Sequence, residues 1–263
     1  MMESIEDLSS SFSDSAQSVE VSQVELDFIG ECVSPPMPEE LAMRIDDITG
    51  GVPPKAIDRN PEIAEMIEPI RDQIPSSYLE APTDMEQVDQ ISDVLVETPE
   101  LRPENWVELS LEDKVAVLND LECKIAEIEH RPACPISAKD MGPIERHGDN
   151  LFGSMGVHTT SIWGESITVN SRLLNSDNPL YFKEALDTLV HEGRHSYQNY
   201  NLYEREIHTS QGDLTNWRRN LDGFGYQNAQ KCGFKLYWMQ PIEADARKFA
   251  EDVLTAYYKK YER

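Results

Sequence analysis

The 263-residue chain contains no apolar run approaching the ~18 residues a membrane span requires, so a water-soluble protein is expected. Basic side chains are scarce at its start. Residues 1–100 hold 4 Lys+Arg against 24 Asp+Glu, the remainder 19 against 25, and the net charge is -26. So acidic a chain repels nucleic acid and anionic membrane across a Debye length, and neither is expected as a partner. The opening MMESIEDLSSSFSDS lacks the basic stretch and apolar core of a secretory leader, which points to a cytoplasmic location in the producing cell. Cysteine is sparse too. Cys32, Cys123, Cys134 and Cys232 form no C-x-x-C, which removes the zinc-ribbon and redox-dithiol signatures and leaves reduced thiols as the expectation.

Residues 1 to about 60 are rich in Ser, Asp, Glu and Pro, with too few apolar side chains to offset the entropy lost on ordering. The segment PEIAEMIEPIRDQI predicts a short helix over 61–74, limited by Pro69. The stretch 75–103 reads as linker. The expected division is therefore an acidic, mostly disordered segment over 1–103 and a compact domain over 104–263.

Within that domain, Ser110 and Asp113 form an N-cap pattern. Val115, Leu118, Leu121, Ile125 and Ile128 follow at helical spacing, and Pro132 ends the run. MGVHTTSIW and SITVN flank Gly164-Glu165 as an expected hairpin. Asn178 and Pro179 then start a helix that contains TLVHEGRHSYQNY, and Pro241 starts a last helix with Ile242, Ala246, Phe249, Val253 and Tyr257 on its buried side.

Residues four apart share one face of a helix, so His191 and His195 can direct ring nitrogens at a single cation, while Glu192 can reach an attacking water without itself being a ligand. This spacing arises by chance in roughly one chain of this length in a hundred, so it needs support from its surroundings. That support is a capped helix, a preceding β segment and a following helix that bears carboxylates. Glu243, in the first turn beside the buried stripe, is the preferred third ligand, and Asp245 is the runner-up. His208 and Asp222 are weaker candidates. Asp187 stands one turn before His191 and reads as a surface acid, Arg194 as a surface charge, and Cys32 as an unremarkable thiol.

HEGRH at 191–195 together with PIEADA at 241–246 resembles the zincin metallopeptidases of the gluzincin type, and the likeness covers roughly residues 106–263. Gln198 and Asn201 stand where a metzincin carries Gly and His. The PIEADARKFA pattern is also similar to small gluzincin-like domains of bacterial effectors and toxins. The resemblance implies an α+β, zincin-like fold, mainly helical, with a small β-sheet next to the active-site helix. It also implies Zn2+ held by His191, His195 and Glu243, Glu192 as general base, and an edge strand within 155–170 that pairs with an extended protein or peptide substrate. Tyr203, His208, Tyr226 and Tyr237 are the open choices for an oxyanion donor.

The expected function is zinc-dependent peptide-bond hydrolysis. The alternative is a non-catalytic zinc-binding interaction domain. The acidic segment then suggests export by a leaderless specialised route and an inhibitor, immunity or chaperone protein as partner.

Overall fold

A computed structural model describes Met43 and residues 55–161 and 164–262. Seven helices and five strands carry the argument: α1 (Pro61–Ile67), α2 (Asp84–Glu97), α3 (Leu111–Ile128), β1 (Ile136–Lys139), β2 (Glu145–His147), β3 (Asn150–Phe152), β4 (Gly156–Ser161), β5 (Gly164–Asn170), α4 (Pro179–Asn199), α5 (Gln211–Arg218), α6 (Phe234–Met239) and α7 (Pro241–Tyr261). The architecture is α+β, mostly helical, with a three-stranded sheet of order β1-β5-β4 and a separate β2-β3 pair.

The sheet is mixed. β1 runs parallel to β5 with Ile136 opposite Ile167, and β4 runs antiparallel with His158 opposite the same residue. Ile136, Ile167 and Val169 face a core shared with Leu118 and Leu121 of α3, Leu186 and Leu189 of α4, and Phe249 and Val253 of α7. Among the described residues β4 is an edge strand, and α4 crosses beside it.

The expected helix starts hold. Ser110 Oγ accepts from the backbone N–H of Asp113, and Asn178 Oδ1 accepts from that of Leu180, so each cap satisfies a donor the first turn leaves unpaired. The expected 61–74 helix is α-helical only to Ile67 and tightens to 3-10 turns over Glu68–Gln73, where Pro69 lacks the N–H to continue the ladder.

The linker expected over 75–103 is instead largely helical. Thr83 and Glu86 form a reciprocal capping box at the start of α2, whose Ile91 and Leu95 enter the main core, together with Leu101. α2 packs against α3 and α7, so the packed unit begins well before residue 104. From Lys55 onward the chain is already docked: Ala56 N–H donates to Glu206 O, and Ile57 is buried. The disorder expected before that point falls outside the described residues, as does Cys32. Cys134 and Cys232 are free thiols, as expected, whereas Cys123 is disulfide-bonded, because scattered spacing carries no information on pairing.

Candidate metal centre

Helix α4 buries Phe182, Leu186, Leu189, Val190 and Tyr197 and leaves His191 and His195 half-buried on its cleft side. The two residues between Glu192 and His195 are fixed by what lies behind the helix. A Cβ on Gly193 would stand 3.0 Å from the Arg131 guanidinium and 3.4 Å from Glu122 Oε2, so the buried Arg131–Glu122 pair, at 2.5 Å, would have to give by a few tenths of an ångström to admit one. Arg194 is no surface charge. It is 0% exposed, its Nε is 2.9 Å from Asp245 Oδ2, one terminal nitrogen is 2.9 Å from Asp84 Oδ2, and its guanidinium lies over Phe249 at 4.3 Å.

On the cleft side, three donors meet. His191 Nε2 and His195 Nε2 are 3.1 Å apart, and Glu243 places Oε2 3.5 Å from the first and Oε1 3.4 Å from the second. A tetrahedral ion with bonds of about 2.0–2.1 Å has ligand–ligand edges of about 3.3 Å, close to the His191–His195 separation and to the distance of each imidazole from its nearer Glu243 oxygen. Glu243 is 1% exposed, and its Oε2 is buried without a hydrogen-bond partner among the described residues. Burial opposes ionisation of Glu243, but the adjacent imidazoles of His191 and His195 hold its carboxyl far below the usual range. Burial likewise opposes a charged His195, yet Glu243 and Glu192 push it up to about 9. The site therefore attracts positive charge, which a proton or a divalent cation can supply.

A relay behind the triangle sets which nitrogen faces it. Gln198 Nε2 donates to Ile242 O at 2.9 Å and to Asp245 Oδ2 at 2.7 Å, which turns Oε1 toward His195 Nδ1 at 2.8 Å. Once its second proton is displaced by a metal, the neutral His195 imidazole keeps its proton on Nδ1 and presents a lone pair at Nε2. Asp245 is thus committed to Gln198 and Arg194 and takes no place among the ligands. Asp222 bonds Tyr203 on the surface, and His208 lies elsewhere, against Tyr197 and Trp217. Asp187 is half-buried beside His191, and burial raises its carboxyl above the ordinary range.

Glu192 and His195 line a cleft of ≈ 390 Å³ together with Gly156, His158, Tyr226, Tyr237 and Glu243. The His158 N–H donates to Glu192 Oε2 at 2.8 Å, so the carboxylate is held against β4. In an antiparallel strand the N–H and C=O of one residue point the same way, so the C=O of His158 and both backbone groups of Thr160 also face the free edge. Gly156 permits the close approach of strand and helix: a Cβ there would meet Thr188 Cγ2 at 2.4 Å and Glu192 Cγ at 3.4 Å. Glu165 ties the hairpin to α4, accepting from Ser196 Oγ at 2.6 Å and from Asn199 Nδ2, with His158 Nε2 at 3.0 Å.

Of the four oxyanion candidates, Tyr226 and Tyr237 reach the cleft. The Tyr226 hydroxyl donates to Glu243 Oε1 at 2.6 Å, and burial together with the nearby Glu243 carboxylate raises both phenols above their ordinary range. His208 is buried away from the cleft and Tyr203 is exposed.

No known protein family, curated protein or solved structure matches this chain. The site residues that sequence reasoning missed are Gln198, Arg194 and Glu165. Gln198 was legible in part, since position i+3 from His195 lies on the same helical face.

Proposed function

We propose that the chain is a zinc-dependent metallopeptidase with a zincin-like fold of the gluzincin type. The observation that carries this reading is the meeting of His191 Nε2 and His195 Nε2, 3.1 Å apart, with the Glu243 carboxylate, whose two oxygens lie 3.5 and 3.4 Å from them, beside the cleft that Glu192 lines. The three side chains would hold Zn2+, which when bound supplies Lewis-acid polarisation of the scissile carbonyl and lowers the pKa of an attacking water.

The chain's own residues do the rest. An extended peptide adds to the free edge of β4, hydrogen-bonding the Thr160 backbone and the His158 carbonyl, so its scissile bond lies along the cleft. Glu192 is held at Oε2 by His158 and uses its carboxylate to take the water's proton and pass it to the leaving amine. Tyr237 donates its hydroxyl hydrogen to the developing oxyanion, a role for which a raised phenol pKa keeps the proton in place.

The test is digestion of a peptide library by the full chain. Cleavage lost on chelation and restored by zinc is expected. Cleavage that persists through chelation, or that survives in His191→Ala, rejects the reading.

A further inference from the structure

We propose a second divalent-cation site, built by Asp84, His208 and Asp213 and independent of the His191 triangle. One ligand atom from each of the three residues lies within 4.8 Å of the others. Asp213 Oδ2 is 3.5 Å from His208 Nε2, and Asp84 Oδ1 is 3.7 Å from His208 Nδ1. Three elements bring them together: Asp84 opens α2, Asp213 sits in the first turn of α5, and His208 lies in the connection before α5.

Two unsatisfied atoms converge here. His208 is 1% exposed, its Nε2 has no hydrogen-bond partner among the described residues, and neither does the buried Asp84 Oδ1. A buried imidazole nitrogen without a partner has given up its hydrogen bond to water for nothing, so it calls for one. The imidazole cannot readily swing to find another. Its Nδ1 is bonded to the Tyr197 hydroxyl at 3.1 Å, and its face lies against Trp217 at 4.7 Å between centroids. Helix dipoles explain why acids stand in the first turns of α2 and α5, but not why a buried imidazole stands between them.

Charge favours a cation over a second hydrogen bond. Arg194 is shared between Asp84 and Asp245, and Asp213 has no Lys or Arg partner among the described residues. With Nδ1 engaged by the Tyr197 hydroxyl, the unpartnered Nε2 is the ring nitrogen left for an ion, 3.5 Å from Asp213 Oδ2 and with Asp84 on the Nδ1 side of the ring. One imidazole nitrogen and two carboxylate oxygens suit a divalent ion of the zinc or manganese kind. Water completes its shell, because the side chains of Asp84 and Asp213 are 39% and 44% exposed.

The test is the zinc content of the full chain after equilibration with zinc and removal of excess, for wild type, Asp213→Asn, His191→Ala and the double variant. About two equivalents in wild type, about one in each single variant and about none in the double are expected. One equivalent in wild type with none in His191→Ala overturns the second site, as does an Asp213→Asn chain that binds as much zinc as wild type. If instead His191→Ala matches wild type while Asp213→Asn loses one equivalent, this site stands and the His191 triangle fails. The wild-type count does not depend on how any variant folds, and Asp213 is exposed enough for its isosteric amide to leave the packing intact.

Discussion

Gln198 Oε1 lies 2.8 Å from His195 Nδ1, and that contact decides what the opposite ring nitrogen can do. With the amide fixed by Ile242 O and Asp245, the neutral form of His195 is the tautomer whose Nε2 lone pair faces His191 and Glu243, the form a metal would select. The triangle of donors is thus set from behind by side chains that never touch the cleft.

Replacing Gln198 with Leu removes this orientation while keeping an apolar volume of similar size. Zinc affinity is expected to fall about 10–100-fold, the usual effect of losing a partner behind a ligand. Competition with a chromogenic chelator measures it. An unchanged affinity would show that His195 orients itself.

Arg194→Met leaves Asp84 and Asp245 without their cation in a packed interface. A loss of about 3 kcal/mol is expected in chemical denaturation, the low end for a broken buried pair because the side chains of Asp84 and Asp245 stay 39% and 20% exposed. Arg194→Lys recovers little of it, since an ammonium cannot serve both carboxylates with the same fork.

Much of this was legible in the sequence and some was not. Asn178, Pro179 and the spacing of His191 and His195 gave the motif helix, and the placement of Glu243 in the first turn after Pro241 gave the third corner of the triangle. Both are short-range patterns on single helices. Arg194 and Asp84 are 110 residues apart, and nothing local distinguishes a charge that faces solvent from one that closes a buried network. The helix over 84–97 was within reach: Thr83 and Glu86 spell a capping box, and Val88, Ile91 and Leu95 recur at helical spacing. The same stretch is highly acidic and bracketed by Pro82 and Pro99, features that a linker shares.

That helix makes a testable boundary. A chain starting at residue 104 loses Ile91, Leu95 and Leu101 from the core, each worth about 1.5–3 kcal/mol when fully buried, and is expected to have no cooperative unfolding transition. A chain starting at residue 55 is expected to keep one. Equal cooperativity of the two in urea would return residues 84–101 to the status of a linker.

Gly156→Ala pushes β4 away from α4 by forcing a Cβ against Thr188 Cγ2, and with it moves the backbone N–H that holds Glu192. Peptidase activity is expected to drop by about tenfold or more, since small displacements of reacting groups are costly. Adding Thr188→Ser, which deletes the obstructing methyl, should recover part of the loss. Additive losses in the double variant would place the damage elsewhere.

The most direct measurement is peptide cleavage and zinc content of Glu192→Gln side by side with wild type. The triangle does not include Glu192, so zinc should bind at wild-type stoichiometry, while cleavage falls by about 10²–10⁴-fold for want of a general base. Normal turnover in that variant, or loss of zinc along with activity, would contradict the assignment of Glu192 as base beside a His191–His195–Glu243 metal centre.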